Sequence, residues 1–546
     1  MLRSGVYIWK VMVARVIGLV GVCGVSLFCS AQYWATKATG LGNERFTDVC
    51  SGPGDVLFST GEFGPGSTVA GQVPVSTGLS DIFVLKQNAA GAVQWLVRAG
   101  GPGLDLAGRL CAAPDGSVVV CGQFQGTADL FGSTVIAQGG STDLFVAKLS
   151  GTDGSLVWVR TGGSAAYTDR AAGVAVGADG RVLLTGEFRG TAVFDAGTFS
   201  SMIDPDTSTP GSDVFVASYA PDGAAQWLVH GEAPHDDRAA DVTVDASGAA
   251  YAVGTYSETI SFGIPHPNTA LNQMYLLKVD AAGQEQWFRR IGGAAYQLPV
   301  DLQLGDNGSL YFCGDNQGAL TWFGDTQQTI PSAQPKAYFL IKAGSNGDLQ
   351  QSSTTGSANA VHATGLDQRG TTVAILGTFQ CAFEDLQQHY AANGIFIAVG
   401  TEDLFIAEHD ATTTSINEAQ QFGGHEEKLA GAITSLSNGE LVFCGAFAEL
   451  LNFPSESSDW GEDLEACPPA VEGAPVYCGD DHYTTYASIL SGGGLDGFIA
   501  RGYVGSRQPY DPFVRHGNVC DRQIPEMTVL SEPGVLTDNV VQCGGD

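Results

Sequence analysis

The segment VVVCGQF at residues 118–124 is the unit from which the fold of this chain is predicted. It is a run of β-forming residues that ends in a glycine and an aromatic residue, and close variants recur along the chain, such as VLLTGEF at 182–188. The motif glycines are Gly61, Gly122, Gly186, Gly254, Gly314, Gly377 and Gly445, with spacings of 60 to 68 residues. Seven copies at a nearly constant spacing indicate a repeat architecture.

Three further elements accompany the glycine motif in most copies. A strand-like segment that begins with aspartate follows it, as in DLFVAK at 143–148; a tryptophan comes next with a glycine shortly after it, as at Trp158 and Gly162. An alternating strand that ends in an Asp-Gly or Ser-Gly turn, as at 171–180, is the fourth element. One four-stranded unit cannot cover both of its faces, whereas radial stacking of such units does. The sequence therefore predicts an all-β fold, a seven-bladed β-propeller of four-stranded blades.

The two ends of the repeat region are complementary. The segment YWATKATG at 33–40 matches the Trp-to-Gly element that ends a unit, although it precedes the first unit. The seventh unit reaches GFIARGYV at 497–504 and has no tryptophan element after it. We therefore predict that the N-terminal segment around Trp34 lies beside the segment around Phe498 and completes blade seven, because ring closure removes exposed sheet edges.

The composition restricts the partners to be expected. The 546 residues include 74 glycines, only 15% are charged, and the formal net charge is −33. Such an acidic chain lacks the basic surface that neutralises phosphates, so we expect no nucleic-acid partner. Its charge favours solubility and leaves room for cations or basic partners.

The N-terminus resembles a secretion signal. Three basic residues accompany an apolar run at 16–28, and small residues precede the expected cleavage point after Ala31. The run is too short to span a bilayer comfortably, so we predict no transmembrane segment in the mature chain. The predicted organisation is a signal peptide at 1–31, a propeller at 32–505, and a C-terminal tail or the start of a further module at 506–546.

The chain has twelve cysteines. In an oxidising compartment the two candidate disulfides are Cys467 with Cys478, which flank a short loop, and Cys520 with Cys543. A motif glycine directly follows three other cysteines, Cys121, Cys313 and Cys444, which we expect to be small buried residues. No CxxC pair occurs, so a zinc site built on cysteines has little support.

Two sets of repeated aspartates are interpreted as structural. One set begins the third strand of five units, at Asp81, Asp143, Asp213, Asp403 and Asp496, and the other follows the Gly-Gly element, at Asp105, Asp169 and Asp237. We expect both sets to cap turns by accepting backbone hydrogen bonds, because they recur at equivalent places instead of converging on one site. The alternatives are cation ligands and, for the second set, a ring around the central channel.

The repeated tryptophans are interpreted as packing residues. They stand at Trp34, Trp95, Trp158, Trp227 and Trp287, inside predicted strands and not in loops where an aromatic cage would need them. We therefore expect them to pack between blades.

Two loops combine one histidine with two carboxylates, in His235-Asp-Asp237 and His425-Glu-Glu427. This is a set of side chains that metal sites use. Because the sequence does not show that the groups converge, we predict no metal ligands and no cofactor, with Ca²⁺ kept as the alternative.

The quoted repeat segments resemble the secreted bacterial repeat family called the seven-bladed β-propeller (SBBP) repeat. The resemblance covers about residues 33–505 and is clearest in blades one to three. It implies a part of a surface protein in gliding bacteria with type IX secretion, and it implies no defined catalytic residues.

The longest departure from the repeat is an insertion in blade seven, at residues 454–494, between the second and third strands. Smaller insertions occupy the same place in blade three, at 204–211, and in blade six, at 387–400. Such loops leave on the same face as the connections between blades, and recognition often uses elaborated loops on a rigid scaffold; neutral loop growth is the alternative. The residues predicted to contact a partner are Asp459, Trp460, Glu462, Asp463, His482 and Tyr483.

These features predict a secreted binding or scaffold module, not an enzyme, which recognises a protein or glycan partner at the cell surface. Gliding, adhesion or type IX secretion, within a larger multi-subunit surface complex, is the context that the resemblance implies. Two alternatives stay open. One is a lyase or glycosidase with a central pocket, marked by converging titratable residues with perturbed pKa values; the other is a structural subunit of a surface assembly.

Overall fold

Short runs of β-forming residues between tight turns place almost all of the regular structure in strands. The computed structural model describes residues 34–502, apart from 41, 269–271, 294, 325, 333, 358, 381–401, 424–426 and 455–484, together with 528–529. In this part of the chain the strands are β1 to β38, and one 3-10 turn occurs at Gln138–Gly140. No helix among these residues has the length and apolar character needed to cross a bilayer.

The strands pair into seven antiparallel four-stranded sheets, and the first strands of neighbouring sheets pack against one another around the axis. Blade one consists of β2 (Arg45–Gly52), β3 (Val56–Phe63), β5 (Asp81–Gln87) and β6 (Val93–Gly100). Blade two consists of β7 (Leu106–Ala112), β8 (Val118–Gln125), β11 (Thr142–Leu149) and β12 (Leu156–Ser164). Blade three consists of β13 (Arg170–Val176), β14 (Val182–Arg189), β17 (Ser212–Tyr219) and β18 (Ala225–Gly231).

The remaining four blades repeat this pattern. Blade four consists of β19 (Arg238–Val244), β20 (Ala250–Tyr256), β23 (Gln273–Val279) and β24 (Glu285–Gly292). Blade five consists of β25 (Gln297–Leu304), β26 (Leu310–Asn316), β29 (Lys336–Ala343) and β30 (Leu349–Ser357). Blade six consists of β31 (Val361–Arg369), β32 (Thr372–Phe379), β33 (Asp403–Asp410) and β34 (Ile416–Phe422). Blade seven consists of β35 (Lys428–Ser435), β36 (Leu441–Pro454), β37 (Thr485–Gly502) and β1 (Trp34–Thr39).

The N-terminal strand closes the ring as predicted. β1 pairs antiparallel with β37, and Lys37 lies opposite Phe498 in this ladder. On its other side, the two-residue strand β38 (Thr528–Val529) pairs with β1 in parallel. The predicted all-β, seven-bladed propeller is confirmed, including the supply of the fourth strand of blade seven from the N-terminal side of blade one.

The repeated tryptophans link each blade to the next, which confirms their interpretation as packing residues. Each indole N–H donates to a carbonyl in the turn between the third and fourth strands of the following blade, over 3.0–3.2 Å. The pairs are Trp34 with Ala89, Trp95 with Gly151, Trp158 with Pro221, Trp227 with Ala281, and Trp287 with Ser345. A buried indole requires such a partner for its N–H group, and here the partner belongs to the neighbouring sheet.

We expect Trp34→Phe to lower the free energy of unfolding by about 1–2 kcal/mol. The substitution removes one hydrogen bond and part of an aromatic surface that is only 1% exposed, while it keeps the ring. Urea denaturation measures the effect, and Trp287→Phe, which loses the same bond at a more exposed position, is the matched control. A Trp34→Phe protein as stable as the wild type would contradict a role of this residue in closing the ring.

Short hairpins between the second and third strands cover the outer edges of the blades. β9 (Thr127–Leu130) and β10 (Ser133–Ile136) of blade two extend the sheet of blade one, and β15 (Thr191–Phe194) and β16 (Gly197–Ser200) of blade three extend that of blade two. β27 (Leu320–Phe323) and β28 (Gln327–Ile330) extend blade four, and β4 (Thr68–Val69) pairs with β1 of blade seven. β21 (Ile260–Ser261) and β22 (Pro265–His266) form a separate hairpin, which a bridge from Ser261 to Glu232 holds beside blade three. The hairpins protect strand edges that would otherwise be open to pairing with other chains.

Candidate functional site

The innermost strands bring four charged side chains to the axis of the ring. Each of these strands has a register shift at the same position, which is occupied by Asp48, Arg109, Gly173, Asp241, Asp301, Gly365 and Ala432 in blades one to seven. The three aspartates are at most 9% exposed. We call the set Asp48, Arg109, Asp241 and Asp301 the axial cluster.

Each axial aspartate also joins its blade to the next one. Asp48 accepts the Leu110 N–H at 2.7 Å, Asp241 accepts the Leu302 N–H at 3.1 Å, and Asp301 accepts the Leu366 N–H at 2.9 Å. An innermost strand is a sheet edge, so its outward N–H groups need partners from outside the ladder. The carboxylates therefore have a structural task as well as a position at the axis.

Arg109 connects opposite sides of the ring. From blade two, its guanidinium donates to the Val300 carbonyl of blade five at 3.0 Å and lies 3.4 Å from Asp301. It lies 3.9 Å from Asp48 of blade one. Burial raises the pKa of Asp48 to about 6 despite this cation, and burial together with Asp301 raises the pKa of Asp241 well above its ordinary value. One cation thus lies among three buried carboxyl groups at the axis.

A second set of buried groups lies where one blade meets the next. These groups occupy two equivalent positions at every junction. One is the first residue of the third strand, or its equivalent, and the other is the residue at the start of the innermost strand of the following blade, or just before it. The aligned pairs are Asp81 with Asp105, Asp143 with Asp169, Asp213 with Asp237, Gln273 with Gln297, Ala337 with Val361, Asp403 with Lys428, and Asp496 with Glu44. We call these the junction pairs.

The geometry around glycines shows how close the junction pairs are. A Cβ atom placed on Gly100 would lie 2.2 Å from Asp81 Oδ1 and 3.1 Å from Asp105 Oδ2. On Gly163 it would lie 2.5 Å from Asp143 Oδ1 and 2.9 Å from Asp169 Oδ2. Two carboxyl groups therefore converge on one glycine at each of these junctions, and no side chain fits between them.

Asp81, Asp105, Asp143, Asp169 and Asp237 accept backbone N–H groups, which confirms the structural interpretation for these five repeated aspartates. Asp105 accepts from Gly101 N at 2.7 Å, and Asp169 accepts from Ser164 N at 2.6 Å. Asp143 accepts from Gln138 N at 2.9 Å. The alternative that the second set rings the central channel is wrong, since the axial cluster occupies that place.

The two members of each junction pair have the same or complementary chemical character. At the junctions without two carboxyl groups, the pair consists of two amides, two apolar side chains, or a cation with an anion. In the last case, Lys428 Nζ lies 3.7 Å from Asp403. Two ionised carboxylates at such a place would repel each other without solvent to screen them. Burial raises the pKa of Asp143 and of Asp169 to about 6 and that of Asp213 to about 8. These junctions therefore favour a retained proton.

The histidine of the first of the two loops, His235, does not meet the two aspartates that follow it. Asp236 accepts the Ser212 N–H at 2.9 Å and pairs with Arg189, while Asp237 belongs to a junction pair. His235 Nδ1 instead lies 3.5 Å from Asp204 of the blade-three insertion. Sequence reasoning missed this partner because 31 residues separate the two. In the second loop, His425 and Glu426 lie outside the described residues.

Most of the exposed large apolar side chains lie in connections that leave one face of the ring. We call this the insertion face: it carries the connections between second and third strands and the connections between blades, which antiparallel pairing places on the same side. The exposed large apolar residues of the described chain are Val73, Val75, Leu79, Leu104, Ile136, Val157, Val193, Met202, Ile203, Ile264 and Tyr296. All except Val157 lie in these connections.

Four exposed aliphatic residues lie in two neighbouring connections of this face. Val73, Val75 and Leu79 are 70%, 68% and 75% exposed in the blade-one connection. The next interblade connection is held against it, because Leu79 N donates to Gly103 O at 3.1 Å and Ser80 bridges to Leu104. We call these four residues, Val73, Val75, Leu79 and Leu104, the apolar patch.

The residues predicted to contact a partner lie outside the described residues. This holds for Asp459, Trp460, Glu462, Asp463, His482 and Tyr483, and for the disulfide candidates Cys467, Cys478, Cys520 and Cys543. The flanking strands pair further than expected, through Leu450 with Leu490 and Phe453 with Ala487, so part of the predicted insertion at 454–494 is a hairpin stem. The described cysteines Cys50, Cys111, Cys121, Cys313 and Cys444 are free thiols, and the last three are fully buried as expected.

Comparison with known proteins gives similarity to solved structures alone. No family model and no curated protein matches the chain, so the resemblance to the SBBP repeat family stays a prediction. Quinohemoprotein alcohol dehydrogenase ADHIIG from Pseudomonas putida HK5 is 10% identical, with 89% of this chain and 78% of that chain covered and a TM-score of 0.35. The quinohemoprotein alcohol dehydrogenase from Comamonas testosteroni is 9% identical, with the same coverage and a TM-score of 0.34. A europium-containing methanol dehydrogenase is 8% identical, with 77% and 84% covered and a TM-score of 0.33.

These similarities correct one prediction. The expectation that the chain is not an enzyme does not stand, because the similar structures are dehydrogenases. No residue role or activity is transferred from them to this chain.

Proposed function

We propose that this propeller is a binding module that recognises a partner protein through its insertion face. The observation that carries the proposal is the concentration of exposed apolar side chains there. Contiguous exposed apolar surface marks interaction sites in soluble proteins, and loops on a rigid scaffold commonly carry recognition.

A protein partner fits this surface better than a glycan. The apolar patch consists of four aliphatic side chains, and Tyr296 is the one aromatic residue among the strongly exposed apolar residues of the described chain. Aliphatic groups offer no flat ring on which a sugar can stack. The net charge of −33 favours a partner with a basic surface around its apolar contact.

The biological setting of the proposal is the cell surface, with the chain secreted after cleavage following Ala31. It rests on the N-terminal pattern and on the resemblance to SBBP repeats. Adhesion, gliding or type IX secretion is the corresponding context.

The apolar patch gives the direct test. We expect the variant Val73→Ser/Val75→Ser/Leu79→Asn/Leu104→Ser to lose at least about ten-fold in partner affinity, since removing several apolar contacts of about 1 kcal/mol each has that effect. The measurement is site-specific photo-crosslinking from position 79 in the producing cells, followed by titration of the identified partner against purified wild type and variant.

The control is Val157→Ser, which replaces an aliphatic residue of similar exposure on the strand β12, outside the insertion face. It should bind as the wild type does. Equal partner affinity for the patch variant and the wild type would refute the assignment of this face.

A second candidate function is acid–base catalysis at the axis. One observation favours it: Asp48, Asp241 and Arg109, all with perturbed pKa values, converge there with Asp301. Such convergence is a property of catalytic sites. A panel of polysaccharide and glycoside substrates should then be cleaved by the wild type and not by Asp241→Asn, and cleavage by both proteins at equal rates would exclude the axis.

A further inference from the structure

We propose that Asp204, Asp206 and His235 form a binding site for one divalent metal ion of the Zn²⁺ class on the insertion face. The three side chains come from two connections, the blade-three insertion and the link from blade three to blade four. One oxygen or nitrogen ligand atom from each lies within 4.8 Å of the other two. The site is independent of partner binding and goes beyond the proposed function.

The insertion loop holds its two carboxylates in place. Asp204 N donates to Thr209 O at 2.8 Å and Ser208 N donates to Asp204 O at 2.8 Å, which closes the loop. Asp204 Oδ1 accepts the Asp206 N–H at 2.8 Å, which links the two carboxylate residues directly.

The histidine has carboxylates at both ring nitrogens. Nδ1 lies 3.5 Å from Asp204 Oδ1, and Nε2 lies 3.5 Å from Glu258 Oε1. The first separation is longer than a normal hydrogen bond and matches two ligands of one tetrahedral ion, whose bonds are about 2.0–2.2 Å long. The second separation is equally long, so Glu258 lies near Nε2 without a normal hydrogen bond.

The ligand set selects the class of ion. Imidazole suits Zn²⁺ and its transition-metal neighbours, whereas Ca²⁺ and Mg²⁺ prefer sites made of oxygen ligands alone. Three protein ligands leave a coordination position for water or for a group of a partner. The nearby cation Arg189 pairs with Asp236 and leaves the three ligands free.

Metal titration of the full chain tests the site. After chelator treatment, ZnCl₂ is titrated by calorimetry, and CoCl₂ is added to parallel samples to record the visible absorption of bound Co²⁺. The wild type should bind one Zn²⁺ that CaCl₂ does not displace. His235→Ala and Asp206→Asn should each weaken this binding by at least about ten-fold, as the loss of a ligand or its support does, and remove the Co²⁺ absorption.

The matched control is His362→Ala, which removes a half-exposed histidine that bonds Asp315 at 2.7 Å in an ordinary ion pair. It should bind Zn²⁺ as the wild type does. No saturable Zn²⁺ binding by the wild type, undiminished binding by His235→Ala, or binding of Ca²⁺ that is independent of His235 would each overturn the proposal. Unchanged thermal unfolding of the apo variants verifies that they are folded.

Discussion

Replacing Arg109 with methionine is expected to lower the free energy of unfolding by about 3–5 kcal/mol. Methionine keeps much of the volume but removes the cation that lies between Asp48 and Asp301, and the bond across the ring to Val300. Breaking a buried ion pair by removing one partner leaves uncompensated charge in a medium that solvates it poorly. The loss should be smaller at pH 5 than at pH 8, because the pKa of Asp48 is already raised to about 6.

Urea denaturation at both pH values measures this effect, and two variants make the result specific. Arg189→Met removes a surface arginine whose pair with Asp236 is 34% and 58% exposed, and it should cost at most about 1 kcal/mol. Adding Asp301→Asn to Arg109→Met should recover part of the loss, since it removes one of the unpaired charges. If Arg109→Met were no more costly than Arg189→Met, the axial cluster would not stabilise the ring.

The protein is expected to be more stable at pH 5 than at pH 8, by about 2 kcal/mol or more. The junction carboxyl groups have pKa values of about 6 for Asp143 and Asp169 and about 8 for Asp213 when folded, above the ordinary value of 3.8. The folded state thus binds their protons more tightly. The stability that they contribute is complete below pH 3.8 and is lost as the pH rises through 6 to 8, and each unit of pKa difference is worth about 1.4 kcal/mol.

Carboxyl groups whose pKa is lowered in the folded state set the lower pH limit of greatest stability. Hydrogen bonds and ion pairing with Lys148 outweigh burial and lower the pKa of Asp115 to about 2, so its contribution is lost in stronger acid. The melting temperature, followed by calorimetry from pH 3 to pH 9, should therefore pass through a maximum near pH 4–5.

A variant that tests the junction carboxyl groups can be copied from another junction of the same chain. Asp213→Asn/Asp237→Asn imitates the amide pair of Gln273 and Gln297, and it should flatten the decline in melting temperature between pH 6 and pH 9. Asp222→Asn, at an exposed turn of the same blade, should leave the slope unchanged. A wild-type melting temperature that rises from pH 5 to pH 8 would show that the junction pairs carry no proton.

Much of the architecture follows from features that are local in the sequence. The motif glycines are predictable because a Cβ atom on Gly122 would lie 2.4 Å from the Leu106 carbonyl, so a larger residue cannot occupy the position. The repeated tryptophans and aspartates are interpretable for the same reason, since their partners occupy equivalent places in every unit. A residue-by-residue alignment of the repeats would also have revealed the junction pairs, because the two positions of each pair carry matching residue types.

The axial cluster was not predictable in this way. Arg109 and Asp301 are 192 residues apart and stand at a register shift that periodicity does not report. The pairing of His235 with Asp204 likewise depends on how one insertion folds back over the next connection. Hairpins of the following blade that cover the outer strands of blades one, two, four and seven are a third kind of contact between units.

Seven blades of four strands each, and closure of the ring by the segment around Trp34, follow from the amino-acid sequence because they depend on alternation, turn residues and spacing. The tertiary structure alone decided which charges meet at the axis, where protons are held between blades, and which loops approach each other on the insertion face. The physical reason is that bending seven sheets into a ring brings together side chains that are distant in the chain, and burial then fixes their charge.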